Sequence, residues 1–370
     1  MSVPFVDFGP HVSALRSEIE AAVARVLSSG WFILGPEGEA FETELAAALG
    51  AREAVGVANG TEAIQLALEA LGVGPGDEVV TSPLSAAFSA LAIVRAGARP
   101  VFADVDDETL TVSPQAVETV LTSRTKALLP VHLYGHPAEL DPLLDIARRR
   151  GIPLVEDACQ AHGARYQDRV VGSHGAAGAL SFYPTKNLGA LGDGGAILLG
   201  DPALGGRLRQ LRNGGQSDRY RHEVSGINSR LDELQAAVLR AKLSHLATWT
   251  RRRREIAGVY LRELRDSGLR LPVERPWATT VYHLFVVRHP RRDAFMAGLK
   301  ERGIGTLIHY PIPLHLQPAF APMGGKRGDL PVAERAASEV VSLPLYPELT
   351  DAQVGEVVGA AREVLRSVPA

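Results

Sequence analysis

Lysine is rare in this sequence, and one lysine stands in a setting suited to chemistry. Of the 39 basic residues, five are lysine and 34 are arginine. A lysine retained in such a chain hints at a reaction that arginine cannot perform, because only an amine readily loses its proton and attacks a carbonyl. Lys186 follows a predicted strand and leads into the glycine-rich stretch Gly189–Gly195. Such a stretch lets the backbone approach a ligand closely, so Lys186 is the candidate nucleophile.

A carboxylate and a candidate phosphate site accompany this lysine. Asp157 ends a predicted buried strand, where it needs a cationic partner; a helix cap or a core ion pair would satisfy it equally well. Gly60 and Thr61 follow Asn59 at a predicted helix start, where free N–H groups and a hydroxyl suit a phosphate, or simply form an ordinary N-cap. An amine, an acid for a protonated ring nitrogen and a phosphate site are together what pyridoxal 5′-phosphate (PLP) requires.

Alternating helices and strands are predicted to position these residues. Apolar residues recur at three- and four-residue steps over Val12–Leu27, which predicts an amphipathic helix ended by Gly30. Similar segments predict helices at Gly38–Leu49, Thr61–Leu71, Ser85–Ala96, Pro114–Leu121 and Leu140–Arg150. Short apolar runs predict strands at Glu78–Thr81, Pro100–Asp104, Lys126–His132 and Pro153–Asp157. This alternation predicts a largely parallel sheet covered on both faces, with ligands at the carboxyl ends of its strands.

The rest of the chain predicts a second, smaller α/β unit. Further strands are predicted at Ala196–Leu199 and His283–Val287, and further helices at Pro202–Arg212, Leu231–Arg265, Arg292–Arg302, Leu330–Val341 and Thr350–Arg366. We expect a large domain over residues 1–245 and a small one over residues 246–370, with residues 1–30 packing on the small domain. The run Arg251–Arg254 is expected to be solvated or to face another subunit rather than to bind nucleic acid.

Composition excludes several classes of protein. The formal net charge of −3 offers no broad positive field for nucleic acid, and 46% hydrophobic residues suit a packed globular chain. The single cysteine excludes an internal disulfide, and no Cys/His group has zinc spacing. No segment approaches membrane-spanning length, and the first residues lack a basic stretch followed by an apolar run. We therefore expect a cytoplasmic protein with small-molecule partners and no metal.

Nine short stretches carry a more specific signal. They are Ser29–Glu37, Asn59–Thr61, Gly74–Glu78, Pro130–Gly135, Glu156–Gly163, Ser181–Gly189, Gly192–Gly195, Asn228–Asp232 and His309–His315. In these stretches, and nearly end to end, the chain resembles the DegT/DnrJ/EryC1/StrS family of PLP-dependent sugar aminotransferases. The resemblance implies the α/β architecture of fold type I, with a large domain built on a mixed, mostly parallel seven-stranded sheet and a smaller C-terminal α/β domain. It also implies a homodimer with active sites at the subunit interface.

The resemblance assigns roles around the cofactor. It implies that Lys186 forms a Schiff base with PLP, that Asp157 pairs with the pyridine nitrogen and that Gln160 lies near the ring hydroxyl. The residues implied to hold the phosphate are Gly60, Thr61, Ser181 and, from the partner subunit, Asn228. An amino acid, taken to be glutamate, would convert the cofactor to pyridoxamine phosphate (PMP). A keto sugar would then receive the amino group.

The resemblance also implies contacts to a nucleotide-linked sugar. The implied contact residues are Tyr183, Arg219, Tyr220, His222, His309 and Tyr310. The stretch Ser29–Glu37 and the Tyr220/His222 pair look most like members that aminate carbon 3 of TDP-3-keto-6-deoxyhexoses. Members that act at carbon 4, or on inososes, share most of these motifs, so both substrates stay open as alternatives.

Three positions depart from the family pattern. Ala86 stands where an aromatic residue usually stacks on the cofactor, and Phe88 is the residue that could replace it. Val12 replaces a tyrosine common among the 3-aminotransferases. Cys159 replaces a usual alanine; a buried cysteine acting as a small apolar residue is favoured there over a desulfurase nucleophile.

Three alternative functions can be tested against the same residues. A dehydratase of this family would carry histidine in place of Lys186. A dinucleotide-binding oxidoreductase would carry its glycine fingerprint between a strand and a helix, whereas Gly72–Gly76 reads as a turn before a strand. A PLP-binding regulatory or scaffold protein without turnover stays open, because the altered segment Pro83–Phe88 could weaken the cofactor site.

Overall fold

The computed structural model describes residues 2–368 of the chain. The α-helices among them are α1 Gly9–Ser29, α2 Pro36–Leu49, α3 Gly60–Ala70, α4 Phe88–Arg95, α5 Pro114–Val120, α6 Leu140–Arg150, α7 Gly205–Arg212, α8 Glu233–Leu243, α9 Leu246–Glu263, α10 Arg292–Glu301, α11 Pro331–Glu339 and α12 Asp351–Ser367. Short 3₁₀ turns lie at Leu133–Gly135, Pro202–Leu204, Leu314–Leu316 and Pro318–Met323. Gly30 and Gly50, both with positive φ, end α1 and α2 where the sequence predicts.

The strands among these residues are β1 Glu53–Val57, β2 Glu78–Thr81, β3 Arg99–Phe102, β4 Thr125–Leu129, β5 Val155–Asp157, β6 Arg165–Tyr166, β7 Arg169–Val170, β8 Ala177–Ser181, β9 Gly195–Leu199, β10 Gln216–Asp218, β11 Arg221–His222, β12 Ala278–Thr279, β13 Phe285–Arg288 and β14 Val340–Leu343. Seven of them form one sheet in the order β1-β9-β8-β5-β4-β2-β3, in which isolated bridges join β4 to β5. β9 runs antiparallel to both its neighbours, and the other pairs are parallel. The predicted mixed, mostly parallel seven-stranded sheet is confirmed.

The sheet brings three loops to one edge. β1 and β8 both pair antiparallel with β9 and therefore run in the same direction, which sets Val57, Gly195 and Ser181 side by side. β5 runs parallel to β8 and ends at Asp157. The segments that follow β1, β5 and β8 thus leave the sheet at the same edge, where parallel sheets bind ligands.

The structure corrects several predicted elements. The predicted helix Leu231–Arg265 is two helices, α8 and α9, because the chain turns at Ser244 and His245. The predicted helix Leu330–Val341 ends at Glu339, because the two valines that follow pair with β13 as the first residues of β14. β-Branched residues favour this extended pairing. The sequence pattern also misses β1 and the β10–β11 hairpin.

The arginine run of α9 is not entirely solvated, which corrects a further expectation. Arg253 is buried, and its Nη1 donates to the carbonyl oxygens of Tyr282, His283 and Leu345 at 2.9–3.3 Å. Burial lowers the pKa of this guanidinium to about 10. Consecutive residues of a helix point in different directions, so four arginines in a row cannot all face solvent on a helix packed against a core.

A separate hydrophobic core lies in the C-terminal part of the chain. It includes Tyr260 of α9, Phe285 of β13 and Val357 of α12. Val3 joins this core and forms a parallel bridge with Ile304. Helix α1, in contrast, packs along α8. The boundary between residues 245 and 246 stays a prediction.

Residues 2–368 show neither a membrane-spanning helix nor a metal-binding cluster. No helix among them is long and apolar enough to cross a membrane. The same residues contain no cluster of three or more His, Cys, Asp or Glu side chains that could hold a metal ion.

Candidate functional site

The first turn of α3 forms one wall of the candidate site. The Asn59 side chain caps the helix by accepting a hydrogen bond from the Glu62 N–H at 2.9 Å. The N–H groups of Gly60 and Thr61 lie in the same turn, where an α-helix offers them no acceptor of its own. The ordinary cap and the phosphate site are therefore compatible. The cap uses one N–H group and leaves two others, with the Thr61 hydroxyl, for an anion.

Gly60 brings this turn close to the ends of β5 and β8. A Cβ atom at position 60 would lie 2.7 Å from Cys159 Sγ and 2.7 Å from Ser181 Cβ, which is closer than such atoms approach. Only glycine avoids this collision. The Ser181 Oγ accepts from the Tyr183 N–H at 3.3 Å, so its own hydrogen is free to donate. The residues of this chain that are predicted to bind the phosphate, apart from Asn228, therefore lie next to one another.

Asp157 is buried and uses about half of its hydrogen-bonding capacity. Its Oδ2 accepts from the Ser89 hydroxyl at 2.6 Å, and its Oδ1 accepts from the Cys159 N–H at 3.1 Å. An ionised carboxylate offers about four lone-pair sites, so about two remain for a ligand. Because a buried carboxylate is costly without a partner, this arrangement suits a cationic group such as a protonated ring nitrogen.

Glu156 precedes Asp157 on β5, points to the opposite face and is saturated. Its carboxylate accepts from three N–H groups of the loop 172–175 at 2.7–2.8 Å and from His132 Nε2 at 3.0 Å. The Ala138 N–H donates to His132 Nδ1, which puts the ring hydrogen on Nε2. Burial alone would raise the pKa of Glu156, but His132 and the loop N–H groups hold it below its ordinary value. Residue type and strand pattern, without the family resemblance, do not show which of these two adjacent acids is saturated.

Lys186 follows β8 and lies near Asp157 and Cys159. Burial lowers the pKa of its amine, and these two neighbours oppose the shift. A lower pKa increases the fraction of neutral amine, which is the form that attacks a carbonyl. The Lys186 N–H donates to the Tyr183 carbonyl at 2.8 Å, so the lysine is presented by a turn directly after the strand. The predicted nucleophile and the predicted acid thus lie in one site.

Gln160 links the cofactor side of the site to the predicted sugar side. Its Oε1 accepts from the Tyr134 N–H at 2.8 Å, and its Nε2 donates to the Tyr310 hydroxyl at 3.0 Å. The Tyr134 hydroxyl donates to the His309 carbonyl. Burial raises the pKa of Tyr310 to about 12, although the bond from Gln160 opposes the shift. Tyr310 therefore stays protonated and can donate a hydrogen bond at neutral pH.

Three histidines near Lys186 are neutral; His162 and His283 are buried, and His309 is half-buried. Burial, with a contribution from Lys186, lowers the pKa of His162 to about 3 and that of His309 to about 4. Burial and Lys186 also hold the pKa of His283 well below its ordinary value. The sequence did not predict that His162 and His283 belong to the site, although His162 lies within the family-like stretch Glu156–Gly163. It also missed Ser89, which lies far from Asp157 in the sequence.

The remaining predicted residues lie at the surface. Tyr183 is 53% exposed and Phe88 is 61% exposed. Asn228 is also exposed. The exposed hairpin β10–β11 carries Arg219, Tyr220 and His222. Among residues 2–368, none of these side chains hydrogen-bonds to Lys186 or Asp157. One chain therefore brings together the inner residues of the predicted site, which are Gly60, Thr61, Asp157, Gln160, Ser181 and Lys186. The surface residues among those predicted stay exposed to solvent.

Known proteins are similar to this chain in sequence and in fold. Residues 13–362 match the DegT/DnrJ/EryC1/StrS aminotransferase family. The dTDP-3-amino-3,4,6-trideoxy-alpha-D-glucose transaminase of Streptomyces venezuelae is 51% identical over 98% of this chain and 96% of its own length. The structure of S. venezuelae DesV in complex with a ketimine intermediate has a TM-score of 0.96 and 51% identity, covering 98% of each chain. NtdA from Bacillus subtilis with bound PMP has a TM-score of 0.92 and 30% identity, over 99% of this chain and 85% of its own.

The residues present fit the cofactor of these proteins. The first turn of α3 offers N–H donors suited to a phosphate, Asp157 keeps acceptors for a ring nitrogen, and Lys186 supplies an amine with a lowered pKa. The predicted fold type I architecture and the predicted use of PLP are confirmed. The match extends over nearly the whole chain and is not confined to a motif. The protein therefore belongs to the DegT/DnrJ/EryC1/StrS aminotransferase family, whose members work with PLP.

Proposed function

We propose that this enzyme transfers an amino group from glutamate to a nucleotide-linked keto sugar, a TDP-3-keto-6-deoxyhexose. The observation that carries the proposal is that the half-buried Lys186, whose amine has a lowered pKa, lies near the unsaturated Asp157 carboxylate, next to the first turn of α3. The identity of 51% with a transaminase named for a dTDP-3-amino sugar supports a 3-keto acceptor. We expect the reaction to take place in the cytoplasm.

Each inner residue has a proposed task. Bound PLP supplies an electron sink for the substrate carbon that loses its proton. Lys186 holds the cofactor covalently, and after its release it accepts and returns a proton at Nζ. Asp157 keeps the ring nitrogen protonated, and Gln160 orients the ring hydroxyl. The proposed phosphate ligands are Gly60, Thr61 and Ser181.

We further propose that a second copy of the chain completes the site. Phe88 and Asn228 are predicted cofactor residues, yet both are exposed in one chain. Exposed apolar side chains also occur over Trp31–Ile33 and at Leu191. Both of these segments hydrogen-bond to the first turn of α8, so they lie near each other. A neighbouring group of exposed apolar side chains is typical of an interface between subunits. In a dimer, Asn228 of one subunit would reach the phosphate of the other.

Absorbance spectroscopy of the purified protein tests the proposed activity. The protein loaded with PLP should lose the visible band of the bound cofactor when glutamate is added, as PMP forms. Addition of a TDP-3-keto-6-deoxyhexose should then restore the band. Lys186→Ala should abolish both changes, because no other amine takes its place. Lys126→Ala, which removes an exposed lysine of β4, is the matched control and should behave like the wild type.

The same experiment separates the alternatives. Faster recovery of the band with a 4-keto sugar or an inosose would replace the proposed acceptor. Bound PLP whose band is unchanged by glutamate and by other amino acids would favour a regulatory or scaffold protein without turnover. Sedimentation of the loaded protein as a monomer would contradict the shared site.

A further inference from the structure

We propose that Ser89 is a positioning residue that orients the Asp157 carboxylate toward the cofactor ring, with Ser85 behind it. This inference rests on the proposed role of Asp157 as the partner of the ring nitrogen. The Ser89 Oγ lies 2.6 Å from Asp157 Oδ2, and Ser85 Oγ lies 3.1 Å from Ser89 Oγ. All three residues are buried, with 2% of Ser85, 2% of Ser89 and 4% of Asp157 exposed.

The hydrogen-bonding capacity of each group determines which one donates in the series Ser85, Ser89 and Asp157. An ionised carboxylate can only accept, so Ser89 donates its single hydroxyl hydrogen to Asp157. The hydroxyl contact between Ser85 and Ser89 then requires Ser85 to donate. Both hydroxyl dipoles therefore point toward the carboxylate and stabilise its negative charge.

Helix α4 gives these hydroxyls a fixed place. Ser89 lies in the first turn of α4, and Ser85 lies four residues earlier in the segment that leads into the helix. Ala92 and Ile93, one turn further along the same face of α4, are buried in the core next to the sheet. The carboxylate therefore meets a hydroxyl that is held in place by the first turn of a packed helix.

Two bonds on two different oxygens determine the plane of the carboxylate. Ser89 binds Oδ2 and the Cys159 N–H binds Oδ1. The terminal torsion of an aspartate has a broad energy minimum, so the carboxylate rotates easily when one of these bonds is lost. With both bonds in place, the remaining lone pairs point in fixed directions, and one of them can meet the ring nitrogen. Loss of Ser89 should therefore weaken the hold on the cofactor without removing the charge.

Ser89→Ala in the full-length protein tests this role by PLP binding and by spectroscopy, without any turnover. The dissociation constant for PLP should rise about tenfold, since a hydrogen bond to a charged group is lost. The pH midpoint of the absorbance change of bound PLP, measured without an amino donor, should also move. Ser89→Thr retains the hydroxyl and should restore both values. Ser85→Ala should shift both in the same direction by a smaller amount.

Controls separate this role from a general loss of structure. Ser173→Ala removes a buried serine hydroxyl that donates to the Val170 carbonyl at 2.7 Å, and it should change neither value. Unchanged values in Ser89→Ala, with changed values in Asp157→Ala, would overturn this inference and leave the proposed function intact. Unchanged values in both variants would overturn the proposed role of Asp157 as well. If Ser89→Ala does not fold, as judged by circular dichroism, Ser85→Ala decides, and wild-type values in that variant would overturn the inference.

Discussion

The two faces of β5 carry adjacent acids in opposite surroundings. Glu156 accepts four hydrogen bonds, three from backbone N–H groups and one from His132. Asp157 accepts two, so it keeps lone pairs free, and Lys186 lies near it. Both residues are buried, so burial does not distinguish them. The two residues differ in the number of hydrogen-bond donors that surround each carboxylate. A saturated buried carboxylate serves the fold, whereas an unsaturated one is suited to a cationic ligand.

The largest effect is expected when the unsaturated acid is removed. Asp157→Ala should lower the rate of amine transfer by about 10³-fold or more, because the ring nitrogen loses its anionic partner. The free energy of unfolding of the cofactor-free protein should fall by less than about 2 kcal/mol, since the loss of two hydrogen bonds is partly offset by the removal of a buried charge that lacks a full set of partners. Stopped-flow absorbance with glutamate and urea unfolding measure the two quantities. Wild-type transfer by this variant would contradict the role assigned to Asp157.

The opposite pattern is expected on the other face of the strand. Glu156→Gln retains the shape but presents an NH₂ group to donors, so it should lower the free energy of unfolding by about 3–5 kcal/mol. Because the pKa of Glu156 is lowered in the folded state, its stabilisation is present above the ordinary carboxyl pKa and is lost as the pH falls through the lowered value. Glu39→Gln, at an exposed position in α2, is the matched control. Equal stability of the two variants in urea would refute the comparison.

Lys242 extends the comparison to a buried cation. It is 4% exposed, and its Nζ donates to the Gly189 carbonyl in the loop that follows Lys186. Burial lowers its pKa from 10.5 to about 8, so its charge destabilises the fold below about pH 8 and this cost disappears as the pH rises toward 10.5. The wild type should therefore gain up to about 3 kcal/mol relative to Lys242→Met across this interval.

Urea unfolding of both proteins at several pH values measures this difference. Lys126→Met, at an exposed position, controls for the general effect of losing one positive charge. A difference between wild type and Lys242→Met that does not change with pH would show that Lys242 is not a costly buried charge.

The smallest effect is expected at the predicted phosphate site in the first turn of α3. Gly60→Ala should raise the dissociation constant for PLP about tenfold, because the added methyl group meets Cys159 Sγ and Ser181 Cβ at 2.7 Å and displaces the first turn of α3. Gly206→Ala, in the first turn of α7, is the matched control, since a Cβ there meets nothing within 4 Å. Titration with PLP compares the two. Equal affinities would mean that the close approach at Gly60 does not form the phosphate site.

The sequence by itself determined which residue types could do the chemistry and that the main sheet is largely parallel. A lysine beside a glycine-rich stretch and an acid at the end of a strand pointed to PLP. The family match confirms the use of this cofactor. Short apolar strands predicted a largely parallel sheet, and the family resemblance implied that it is mixed and seven-stranded. These signals are local, since they depend on residue type, on periodicity and on neighbours in the chain. The roles of the individual site residues stay predictions.

Only the tertiary structure decided what surrounds each of these residues. The sequence shows two adjacent acids on β5, but the donors that saturate Glu156 come from residue 132 and from the loop 172–175. Ser89, which binds Asp157, lies 68 residues away in the sequence. Arg253 turns inward within a run of four arginines because the carbonyl groups that it binds lie in distant segments. Periodicity predicts which face of an element is buried, but the groups that meet it there depend on how the chain folds back on itself.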